Sequence, residues 1–197
     1  LLTLLFIFFT FLNFDNNFIE LFLSLVSSIS NIGFSLDDNS ANLSFIFLIL
    51  VVIGGSFFST SSGIRFLKIY SLFKYSFNEI LSYSRPKNIF INKHLFSKEF
   101  FKLNEIYKYF LSIIVFIISL LFLTFLLTLS GIDFEISFKL AILTLMNTVN
   151  SSMYGINDFS FYDLQFFTKY YLIFFMIVGR LELLTLLIIS KKFLFKN

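Results

Sequence analysis

Apolar residues fall along this chain in alternating long and short runs. The long ones are Leu1–Phe14, Ala41–Phe73, Tyr109–Leu129 and Leu164–Ser190; the short ones are Phe18–Ser30 and Phe134–Thr148. The run Tyr109–Leu129 carries no charge, and as a helix it would extend about 30 Å, enough to cross a bilayer. The two short runs are too brief to cross and suit helices that enter the membrane and stop there. Each is followed by small and polar residues, SNIGFS (Ser30–Ser35) and NTVNSSMYGIN (Asn147–Asn157), and then by another long run. The order long, short, polar turn, long occurs twice. It predicts an all-α membrane protein with two copies of a helix–pore loop–helix unit, an organisation common in transport folds. The expected boundaries are 1–73 for the first unit, 74–105 for a linker, and 106–197 for the second unit with its tail. The opening LLTLLFIFF has no basic leader or small-residue cleavage site, so it reads as a start partway through a helix.

Composition strengthens the membrane assignment. Hydrophobic residues make up 57% of the 197 and charged residues only 14%, against about 25% charged in soluble domains. With no cysteine there are no disulfides, thiolate metal sites or cysteine nucleophiles. The single histidine, His94, lies in a basic polar stretch, so no histidine-based catalytic or transition-metal constellation can form. No paired acid or Ser–His arrangement lies at one depth, which argues against an enzyme.

Charge sets the expected orientation. Arg65, Lys68, Lys74, Arg85, Lys87, Lys93, Lys98, Lys102 and Lys108 lie in or beside the linker, and Lys191, Lys192 and Lys196 in the tail. Concentration of Lys and Arg on one side marks that side as cytoplasmic. Anionic lipid headgroups account for these charges, and no nucleic acid partner is expected. Asp15, Glu20, Asp37, Asp38, Asp133, Glu135, Asp158 and Asp163 fall on the opposite side with both polar turns. They form either an acidic vestibule that concentrates cations or ordinary solvated loops.

Three features carry chemistry. A cation crossing a bilayer must exchange its water shell for oxygen ligands, which backbone carbonyls at a narrow turn can supply. The candidate turns are Ser30, Asn31, Ile32, Gly33 and Phe34 in the first unit, and Val149, Asn150, Ser151 and Ser152 in the second. The second feature is a polar break inside an apolar run, with Gly54, Gly55, Ser56, Ser59, Thr60, Ser61, Ser62 and Gly63. Non-helical backbone at membrane depth requires protein or a water cavity around it; close helix packing through small residues is the competing explanation. The third is Arg180, within FMIVGRLELLTLL, with Glu182 two residues on and therefore on a different helix face. A guanidinium at that depth costs at least about 2.5–3.5 kcal/mol, so burial against protein or a water-filled path is expected. It would then flank a permeation path, brace a broken helix, or do both.

Together SSISNIGFS, IGGSFFSTSSGIR and VGRLELLTLL resemble the C-terminal half of the TrkH/KtrB/HKT superfamily of potassium transporters. The resemblance implies the third and fourth of four units around a pseudo-fourfold pore, the third lacking most of its first helix. It implies transport of potassium, with sodium as an alternative, and no other metal or cofactor. Gly33 matches the third filter glycine, Gly54–Gly63 a gating loop, and Arg180 an arginine near that loop. A multi-pass protein of the bacterial inner membrane is implied, in contact with lipid, as a homodimer with a cytoplasmic nucleotide-binding subunit of the TrkA/KtrA type. Two departures bear on selectivity and gating. Ser151 stands where the fourth filter glycine is expected, and Phe58 and Ser62 replace loop glycines. A non-conducting scaffold or decayed relative is the alternative.

Overall fold

The computed structural model describes residues 18–34, 43–53, 66–84, 103–150, 152–156, 160–162, 164–180 and 192. Their regular elements are all helical: α1 (Phe18–Ile29), α2 (Ser44–Ile53), α3 (Phe66–Ser84), α4 (Leu103–Leu129), α5 (Phe134–Met146), a 3₁₀ turn (Ser152–Tyr154) and α6 (Phe166–Arg180). The short apolar runs are α1 and α5, as their lengths predict. The run Ala41–Phe73 contains two helices, α2 and the start of α3. Leu1–Phe14 and the break Gly54–Gly63 lie outside the described residues.

Hydrophobicity marks the edge of the membrane, not the end of a helix. α3 continues eleven residues past Phe73 into the basic stretch, and α4 begins at Leu103, ahead of the uncharged run. Lys, Glu, Tyr and Leu sustain a helix in water as well as in lipid, so charged turns extend both ends. Lys68 Nζ donates to Ser112 Oγ (3.2 Å), joining α3 to α4 near this side.

At 27 residues, α4 is about 40 Å long and is the one described helix long and apolar enough to span. Its hydroxyls make no demand on lipid: Thr124 and Thr128 each donate to the carbonyl four residues back, as does Ser130 just past its end. Gly131, at φ 86°, then turns the chain into α5.

The core forms around α5, where Ser137 and every residue from Leu140 to Met146 are buried. Beyond Lys139 the helix carries no charge and belongs inside, and α4, α6 and α2 pack against it. Since lipid is as apolar as leucine, close van der Waals packing, with Val51, Leu123, Leu127 and Leu145 fully enclosed, holds these helices together. α1 packs on α2, and the C-terminal ends of both short helices are buried, with Ser28 and Asn31 enclosed at one and Met146 at the other.

Candidate functional site: two turns that meet

α1 ends in a run of small hydroxyl residues, and its last turn closes on left-handed backbone. Asn31 has φ 57°. Its N–H donates to the Ser28 carbonyl (3.2 Å), and the Ile32 N–H reaches back to the Ser27 carbonyl (3.0 Å). This is the Schellman arrangement, favoured by residues that tolerate the left-handed region, of which asparagine is the commonest after glycine. The Ser27 hydroxyl then accepts from the Phe34 N–H (2.6 Å), curling the chain over the helix end.

α5 ends the same way. Asn147 has φ 55°, its N–H donates to the Thr144 carbonyl (3.2 Å), and the Thr148 N–H donates to the Leu143 carbonyl (3.0 Å). Matching bonds in both units, 116 residues apart, make the repeat visible in backbone geometry. Counted from the left-handed asparagine, Ile32 corresponds to Thr148, Gly33 to Val149 and Phe34 to Asn150.

The side chains of the two asparagines also match. Asn31 satisfies its amide only with Nδ2 turned toward the Val51 carbonyl (3.2 Å) and the Ser28 carbonyl (3.1 Å). Asn147 Nδ2 donates to the Met176 carbonyl (3.0 Å). Each therefore ties its turn to the following helix of its own unit, α2 or α6.

The turns touch each other. The Val149 N–H donates to the Ile32 carbonyl (3.3 Å). Gly33 has φ 82°, and a Cβ there would stand 2.2 Å from the Val149 carbonyl oxygen and 3.0 Å from Thr148 Cγ2. Gly33 is thus required both by its backbone angle and by a neighbouring backbone atom. Among the described residues, Thr148 Oγ1 and Asn150 Oδ1 are buried and have no hydrogen-bond partner. Neutral carbonyl, hydroxyl and amide oxygens at two adjoining helix C-termini suit a weakly held monovalent cation, with both helix dipoles presenting their negative ends. No cluster of acids or histidines able to hold a metal is present among the described residues.

The structure brings Asn31, Ile32, Gly33, Phe34, Val149 and Asn150 to one place and adds Asn147 and Thr148. The sequence places these two where the apolar segment Phe134–Thr148 overlaps the polar turn Asn147–Asn157 but does not single them out as ligands; an asparagine closing an apolar run, seen in both units, is the signal. Ser30 caps the end of α1 by donating to the Val26 carbonyl (2.8 Å). Ser152 lies in the 3₁₀ turn beyond the meeting point, and Ser151 is outside the described residues. The geometric register puts Val149 opposite Gly33, whereas the resemblance puts Ser151 at the glycine position.

Arg180 is the last residue of α6 and, among the described residues, its side chain is exposed. α6 packs through Thr168, Leu172, Phe175 and Gly179, a stripe at three- and four-residue spacing. One residue past Gly179 turns the side chain about 100° off that stripe. Its depth is nonetheless informative. Arg180 lies one helical turn, about 6 Å, beyond the level at which Met176 holds Asn147. Its relation to Gly54–Gly63 falls on residues outside the described set.

The model of a family described as cation transport protein, TrkH, matches residues 8–195. The crystal structure of the potassium transporter TrkH from Vibrio parahaemolyticus has a similar fold, with a TM-score of 0.73 at 23% identity, over 87% of this chain and 36% of that one. The chain therefore spans about a third of that transporter's length. No curated protein gives a match.

Proposed function

Because the chain belongs to the TrkH family of cation transport proteins, a family of transporters and not of enzymes, we propose that it supplies the third and fourth of four units lining a monovalent cation pathway. Potassium is the principal ion and sodium its competitor. One observation carries this proposal: two short helices of successive units end at matching left-handed asparagines, and their turns meet at Gly33 and Val149. In this proposal the turns form part of the filter, with carbonyls of residues 30–34 and 149–152 as ligands and Thr148 Oγ1 as a further oxygen.

The chain lies in the bacterial cell membrane as a multi-pass protein, with the basic stretch around 85–102 cytoplasmic. Gly54–Gly63 forms a gating loop below the filter, and Arg180 contributes positive charge at that level. A homodimer regulated by a cytoplasmic nucleotide-binding subunit completes the assembly. The exposed apolar faces of α4 and α6, among them Leu121, Phe125, Phe174 and Ile177, are available to lipid and to the remaining units.

Rubidium uptake by potassium-uptake-deficient cells expressing the full-length gene tests the proposal. Saturable uptake that potassium inhibits supports it; no uptake by a well-expressed protein assigns the chain to a non-conducting scaffold. The scaffold alternative rests on Val149 and Ser151, the two residues that fall where a glycine is expected.

Those two registers make different predictions. If Val149 occupies the position equivalent to Gly33, Val149→Gly shifts the potassium/sodium flux ratio toward potassium by about tenfold, equivalent to about 1.4 kcal/mol, while Ser151→Gly leaves it unchanged. The reverse outcome places Ser151 in the filter.

A further inference from the structure

We infer that Asn31 and Asn147 are paired positioning residues, each an amide clamp that locks a filter turn to the second helix of its unit. This deepens the cation-pathway proposal and rests on it. Both asparagines occupy the left-handed position at a short helix end, at φ 57° and 55°. Both use the side-chain amide for a distant carbonyl: Val51, 20 residues on, and Met176, 29 residues on.

A left-handed cap alone needs no side chain, and glycine serves it best. Asparagine adds a donor that glycine lacks, and in each unit that donor reaches the same structural partner. The partners lie close in sequence to the elements proposed for gating. Val51 precedes Gly54 by three residues, and Met176 precedes Arg180 by four. A shift of α2 or α6 on opening must therefore either carry the filter turn with it or break the amide bond. Ion selectivity and gating are joined through two hydrogen bonds that the filter carbonyls themselves do not make.

Substitution separates the clamp from the cap. Asn147→Gly and Asn31→Gly keep the backbone conformation and remove the amide. Asn147→Asp and Asn31→Asp keep the side-chain shape and left-handed tolerance, but set a carboxylate oxygen against a carbonyl in place of a donor. In the full-length protein, each of the four variants is expected to lower the potassium/sodium flux ratio at least threefold. Each should also speed amide hydrogen exchange in its own turn, 31–34 or 148–150, while that of the other turn holds. The exchange measurement reads the clamp whether or not the protein conducts, so an absence of wild-type uptake would count against the transport proposal alone. Glycine variants with wild-type selectivity, or aspartate variants with wild-type exchange, would reduce both asparagines to helix caps and overturn the inference.

Discussion

Replacing Gly33 with alanine is expected to abolish rubidium uptake in the full-length protein while leaving it folded and in the membrane. Two costs combine at this residue. A side chain at φ 82° is in left-handed space, at about 1–2 kcal/mol. Its Cβ would also stand 2.2 Å from the Val149 carbonyl oxygen. That obstacle is backbone and cannot rotate away, so the turns must separate, with an overpacking cost of about 1–3 kcal/mol. α1 keeps its other contacts through Leu21 and Leu25, so helix content should hold. Gly131 is the control. It has a similar φ of 86°, but nothing lies within 4 Å of its added Cβ. Gly131→Ala should therefore cost only the conformational share and retain most of the uptake. Equal uptake by the two variants would mean that the Gly33–Val149 contact has no role in conduction.

Removing the charge at Arg180 is expected to raise basal flux. In the assembled protein a lipid-facing guanidinium at this depth costs at least about 2.5–3.5 kcal/mol, so the surface it occupies belongs to protein or water. Off the core stripe of α6 and about one turn past Met176, it would stand beneath the turns proposed as the filter. A permeating cation that came within about 10 Å of that charge would, at an effective dielectric of 20, be opposed by about 1.7 kcal/mol. Arg180→Ala should then increase flux in the absence of a cytoplasmic activator by roughly tenfold. Arg180→Lys retains the charge and should keep most of the electrostatic block, but an ammonium lacks the planar fork that bridges several carbonyls. An intermediate basal flux is expected for it. Unchanged flux in a well-expressed alanine variant would make Arg180 a structural brace.

Much of the fold was legible because lipid imposes simple rules on length. Phe18–Ser30 and Phe134–Thr148 differ from α1 and α5 by no more than two residues, since short apolar runs between polar turns leave few choices. Helix ends outside the apolar zone were not legible: α3 runs to Ser84 because charged residues sustain a helix once it leaves the membrane. At the site, Gly33 stood out by its type and surroundings. Asn147 and Thr148 did not, because their role depends on a backbone angle and on a carbonyl 29 residues away. Arg180 was notable for its depth, but its direction depends on which face of α6 meets the core. That is settled by packing against α5 and α4, not by local sequence.

The most direct test of the central claim is to locate the ion. Crystals of the full-length protein grown with rubidium or thallium, recorded with anomalous scattering, should show a peak flanked by residues 30–34 and 148–152. Its nearest ligands should be oxygens of those two turns. Ion density elsewhere in the protein and none beside these turns would contradict the account.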